Sequence, residues 1–180
     1  SIALVVLFFL PPSISADGGA EQGLRIMTEV DLRDTGWIDY TVDLTMILSN
    51  ARGETSERRI RMKSKETEGD GDRTLLVFDT PPDVRGTGLL THTQLSGEDD
   101  QWLYLPALKR IKRIASKNKS GPFVGSEFAY EDLTSQEVSK YSYKYLNDET
   151  IDGNEHFVVE RYPLDKNSGY TRQIAWIDKE

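Results

Sequence analysis

The side chains of this chain that could do chemistry are few and widely spaced. His92 and His156 are its only histidines, and it has no cysteine. A cysteine nucleophile, a thiolate zinc site and a disulfide scaffold are therefore excluded. The two histidines stand too far apart to suggest a metal pair. Ser126 follows Gly125, but the Gly-x-Ser-x-Gly elbow of a serine hydrolase is missing. Glu68, Asp70 and Asp72 look like the start of a calcium loop, yet the ligand spacing and the closing glutamate of such a loop fail, which points to a hairpin tip. Arg85-Gly86-Thr87-Gly88 has the glycines of a phosphate loop. Such a loop needs a helix after it and a Lys-Ser/Thr pair. Leu89-Leu90-Thr91-His92 reads as a strand instead, so the glycines are expected to permit a bend or bulge. Among 30 acidic residues no carboxylate pair is singled out. The expectation is a protein that is not an enzyme, with no catalytic residue, no metal and no cofactor.

Binding chemistry is better represented. Lys109, Arg110, Lys112, Arg113, Lys117 and Lys119 form a basic run in a chain whose formal charge is −8. The first four are candidates for docking anionic head groups or an acidic partner. The same residues could instead form a solvated strand face that discourages edge pairing. Trp102, Tyr104, Phe123, Phe128 and Tyr130 concentrate aromatic surface, which either lines a ligand cavity or packs the core. Leu44 and Met46 share one face of an alternating segment, and methionine adapts to varied chains. Both are candidate lining residues. The acidic balance speaks against nucleic acid as a partner, because phosphate neutralisation needs a net basic face, and against any membrane contact that is more than transient.

These residues must be positioned by strands. Ile26, Met27 and Val30 recur at helical spacing, which predicts one helix over 21–33, with Gly36 as a stop signal. Thereafter the period is two. Strands are predicted over 40–48, 58–65, 74–79, 87–95, 101–105, 109–115, 141–145, 156–162 and 170–177, joined by tight polar turns. Such a series reads as one antiparallel meander, mainly β with a covering helix, in one domain over 17–180. Residues 116–137 are irregular, with one helical turn expected near Tyr130 to Leu133. The apolar run from Ile2 to Leu10, followed by Pro11-Pro12 and small residues up to Ala16, matches part of a secretory signal. It is too short to span a bilayer. The expected product is exported and soluble. The last predicted strand ends beside Asp178-Lys179-Glu180 as an unpaired edge, from which further C-terminal strands are expected to be missing.

Three blocks carry a resemblance. The first is Phe78-Asp79-Thr80-Pro81-Pro82-Asp83-Val84-Arg85-Gly86-Thr87-Gly88-Leu89-Leu90. The second is Gln101-Trp102-Leu103-Tyr104-Leu105-Pro106-Ala107-Leu108-Lys109-Arg110-Ile111-Lys112-Arg113-Ile114. The third is Phe123-Val124-Gly125-Ser126-Glu127-Phe128-Ala129-Tyr130-Glu131-Asp132-Leu133. Together they resemble the bacterial outer-membrane lipoprotein-sorting family, relatives of the periplasmic carrier LolA. The resemblance implies a strongly curved antiparallel sheet forming an incomplete β-barrel, a helix across its opening, and a hollow that takes up the acyl chains of lipids or lipoproteins. It also implies a periplasmic location and names an inner-membrane transporter of the resistance-nodulation-division class as a candidate partner. Physical reasoning agrees with a carrier: an acyl chain of about sixteen carbons needs on the order of 12 kcal/mol of shelter from water. A concave apolar face can supply that without ionisable groups. Two other readings stay open: a periplasmic binding module for a peptide or protein segment, and a secreted hydrolase. The oligomeric state is not specified by the sequence.

Overall fold

The computed structural model describes residues 18–67 and 71–180. The expected signal over 1–16, and Glu68 and Asp70 of the polar loop, lie outside the described residues. Helix α1 spans Gly18–Arg33. It buries Gly23 and Met27 and exposes the pairs Glu21–Arg25 and Glu29–Arg33, at 3.6 and 2.8 Å. Beyond it Gly36, at φ +85°, turns the chain as its lack of a Cβ permits.

Nine strands follow among the described residues: β1 (Asp39–Ser49), β2 (Thr55–Lys65), β3 (Arg73–Thr80), β4 (Gly88–His92), β5 (Asp100–Leu105), β6 (Arg110–Ile114), β7 (Tyr141–Ile151), β8 (Asn154–Pro163) and β9 (Gln173–Asp178). They are antiparallel throughout but do not form the single meander expected from sequence. β1 to β6 make one sheet in chain order, and β7 to β9 make a second. Neither closes on itself. The break has a local cause. Residues between β6 and β7 are spent in short 3-10 turns that cross the first sheet, and Phe123, Tyr130 and Leu133 pack against its core rather than joining its ladder.

Strand register assigns the faces. Leu44, Ile60 and Phe78 stand opposite one another, as do Leu76, Leu89 and Leu103. This inner face holds the main core, where Ile60, Leu76, Phe78, Leu89, Leu103 and Ile114 gather around the fully buried Phe123. Burying each such side chain stabilises the fold by about 1.5–3 kcal/mol. The Phe78 and Phe123 rings meet at 5.6 Å, and Tyr130 meets Phe123 edge-on at 5.7 Å. A smaller core joins α1 to the second sheet through Met27, Tyr143 and Val159. The helix approaches β7 closely because Gly23 faces it: a Cβ there would lie 2.8 Å from the Tyr145 backbone nitrogen. Burial in this core pushes the Tyr143 phenol up to about 12.

Candidate ligand cavity

The inner face of β1 is left largely uncovered. Tyr40, Val42 and Leu44 lie on the same face as the buried core, yet remain 40%, 37% and 37% exposed. β1 ends its sheet and pairs only with β2, so these side chains form an apolar lip along one edge. Apolar side chains aligned on the core-facing side of a strand are ordinarily covered. Here the covering element is displaced, because α1 packs on β7 of the other sheet.

The lip leads into a cavity of about 530 Å³ between the two sheets and the helix. Met27 and Val30 of α1, Trp37, Met62, Leu76 and Ile177 supply its apolar wall. The Trp37 and Tyr40 rings meet at 4.8 Å at its entrance. A volume of this order suits a small-molecule or lipid-tail ligand. The rim is polar. Asp31, Asp34, Asp72 and Glu137 face it, with Arg161 as a cation. Partial burial holds the Asp72 carboxyl above its ordinary range, and Glu66, Asp34 and Asp31 add to the rise, against a hydrogen bond donated by Ser135. Glu137 is raised chiefly by burial as well, with Lys140 opposing. Among the described residues, no group of three or more His, Cys, Asp or Glu side chains is arranged to hold a metal ion.

A second hollow of about 520 Å³ lies at the far end of the lip, where Met46 and Leu48 of β1 face Gly125, Ser126 and Phe128. Leu44 sits on the lip and lines neither hollow, while Met46 and Phe128 border the second. Phe123 is wholly enclosed in the core, and Tyr130 is half-buried beside it. Trp102 and Tyr104 lie on the opposite, outer face, since Leu103 between them points into the core. Trp102 there meets His92 edge-on at 5.1 Å. Lys109 stands in the turn before β6, while Arg110, Lys112 and Arg113 are exposed on that strand and Arg113 bonds Asp100. Sequence reasoning did not single out Trp37, Tyr40, Val30, Met62 or Ile177. Tyr40 and Met62 carried a usable signal, being on the same faces of their strands as Leu44 and Ile60.

Ser126 and the Arg85–Gly88 segment make local backbone contacts. The Ser126 hydroxyl donates to the Phe123 carbonyl at 2.8 Å and accepts from the Phe128 amide at 3.2 Å. The Arg85–Gly88 segment is a turn, with the Gly86 amide donating to the Phe78 carbonyl at 2.8 Å before β4 begins. A strand follows those glycines, as expected.

Comparison with solved structures decides the family. An outer membrane lipoprotein-sorting protein domain from Vibrio parahaemolyticus superposes with a TM-score of 0.86 at 58% identity, covering 89% of this chain and 68% of that one. This chain belongs to the outer-membrane lipoprotein-sorting family. A DUF1329 family protein from Desulfovibrio piger superposes at TM-score 0.81 and 30% identity, covering 89% of this chain and 69% of that one. A LolA superfamily protein from Nitrosomonas europaea shares the fold at TM-score 0.59 and 16% identity, over 93% of this chain and 68% of that one. A family model described as an uncharacterized protein matches residues 70–180. Among curated proteins none matches. The neighbours fit the mainly β, LolA-like fold expected of a lipoprotein-sorting chain. Among its described residues no helix is long and apolar enough to cross a membrane.

Proposed function

We propose that this chain is a periplasmic carrier that shelters the acyl chains of lipids or lipoproteins on their way to the outer membrane. The observation that carries this reading is the uncovered apolar lip of β1 leading into the cavity between sheets and helix. In this reading the six-stranded sheet curves as an incomplete barrel, and α1 covers one side of the hollow. A tail lies along Tyr40, Val42 and Leu44, with its end among Val30, Trp37 and Met62. Met46 and Phe128 extend the track into the second hollow. Phe123 and Tyr130 hold the wall from behind, and Trp102 and Tyr104 stay outside the track. Residues 1–16 act as the export signal, and the domain proper begins at 17. Lys109, Arg110, Lys112 and Arg113 on the basic edge meet head groups or an acidic partner, and an inner-membrane transporter of the resistance-nodulation-division class supplies the cargo.

An environment-sensitive fatty-acid probe tests the track. Leu44→Lys and Tyr40→Asp each place a charge where the tail would lie, and are expected to weaken probe binding about tenfold or more. Both side chains are over a third exposed, so melting should shift by only a few degrees. Probe binding unchanged in both variants would remove the lip from the site. Loss of folding would assign Leu44 to the core instead.

A further inference from the structure

The outer face of the six-stranded sheet carries a second apolar surface. Register places Lys63, Leu75, Leu90, Trp102 and Arg113 in one row across β2 to β6, and Arg61, Val77, Gly88, Tyr104 and Ile111 in the next. Leu75, Tyr104 and Ile111 are 39%, 40% and 70% exposed. Leu75, Leu90 and Trp102 are direct cross-strand neighbours, as are Tyr104 and Ile111, while Gly88 separates Val77 from Tyr104 in the second row. Cations flank the apolar block, Lys63 and Arg61 on β2 and Arg113 on β6, and beyond β2 the rows run on to Thr41 and Asp43 of β1. Arg61 is offset by Asp79 and by Asp43 opposite it on β1, and Arg113 by Asp100, whereas Lys63 stands opposite Thr41 and forms no ion pair among the described residues.

We propose that this face docks on the surface of an anionic lipid bilayer, a step that rests on the carrier reading above. The chain as a whole carries −8, which an anionic surface repels. The face where cations frame apolar side chains is the one that can approach. Exposed apolar patches rimmed by polar residues mark contact sites. Tryptophan and tyrosine favour the boundary between head groups and hydrocarbon. Lysine is depleted at protein–protein interfaces but contributes favourably at an anionic lipid surface. That contrast selects a bilayer over a partner protein. Trp102, Tyr104 and Ile111 seat in the boundary layer, and Lys63, Arg61 and Arg113 meet head-group phosphates. Docked this way, the lip of β1, on an edge of the same sheet, comes within reach of the bilayer.

Flotation of the full chain with vesicles tests the assignment. Wild type should float with an equimolar phosphatidylglycerol and phosphatidylethanolamine mixture, release at raised salt, and ignore pure phosphatidylcholine. Lys63→Gln should lower partition about fivefold, and the double variant Tyr104→Ser/Ile111→Ser about tenfold or more. All three side chains are exposed, so unchanged melting shows that folding is intact. The assignment is overturned if wild type stays unbound, if both variants float like wild type, or if the patch drives self-association in sedimentation with no vesicle binding. Lipid extraction from the same samples separates the two readings. Copurified lipid without vesicle binding overturns only the docking face. Vesicle binding through this face with an empty hollow upholds it and overturns the carrier reading.

Discussion

Asp72 shows how much a single residue at the cavity rim can reveal. Burial and the nearby Glu66, Asp34 and Asp31 raise its folded-state value above the ordinary 3.8, so the folded state holds the proton more tightly than the unfolded one. The charged carboxylate therefore costs stability at neutral pH, and that cost fades as pH falls through the raised value. Asp72→Asn should melt above wild type at neutral pH and converge with it once the pH is well below 3.8, where both side chains are neutral in the folded and unfolded states. Melting curves across pH check this, and identical curves throughout would contradict it. Sequence placed Asp72 only at a hairpin tip. Its neighbours at the rim come from α1 and from the 132–137 segment, contacts that no local pattern encodes. Leu44 and Met46, by contrast, were legible because alternation in β1 assigns their face directly. Trp102 and Tyr104 drew attention as aromatics, but the same alternation, applied through Leu103, puts them outside.

At the level of elements, the strands and the helix were readable from period and turn chemistry. Most boundaries moved by only a few residues, as with the helix predicted over 21–33 and found at Gly18–Arg33, but β7, predicted over 141–145, runs on to Ile151. The division into two sheets was not readable. It depends on Phe123, Tyr130 and Leu133 preferring the core of the first sheet to a place in a ladder, a long-range choice made by packing. Nor does the amphipathic pattern of α1 say which sheet it covers. Gly23 decides that, by letting the helix sit against the β7 backbone. Gly23→Val should push the helix off β7 and destabilise the protein by about 1–3 kcal/mol. For a chain of this length that lowers Tm by about 2–4 °C per kcal/mol. An unchanged Tm would mean that the helix shifts freely and does not fix the cavity wall.

At the level of the whole molecule, two apolar surfaces on opposite faces of one sheet divide the work. The inner one leads into a hollow of about 530 Å³ and is proposed to hold a tail; the outer one is proposed to meet a bilayer. The family was legible from three motif blocks because those blocks build β3 to β6 and the crossing segment that fills their inner face. The hollow was not, since a sequence cannot say whether a face is filled by its own side chains. The most direct test of the carrier reading is native mass spectrometry of the gently purified protein, followed by extraction of whatever it holds. A bound species carrying acyl chains, displaced in Leu44→Lys, is the predicted result. A protein that emerges empty, and stays empty after incubation with phospholipid or acylated peptide, would contradict it.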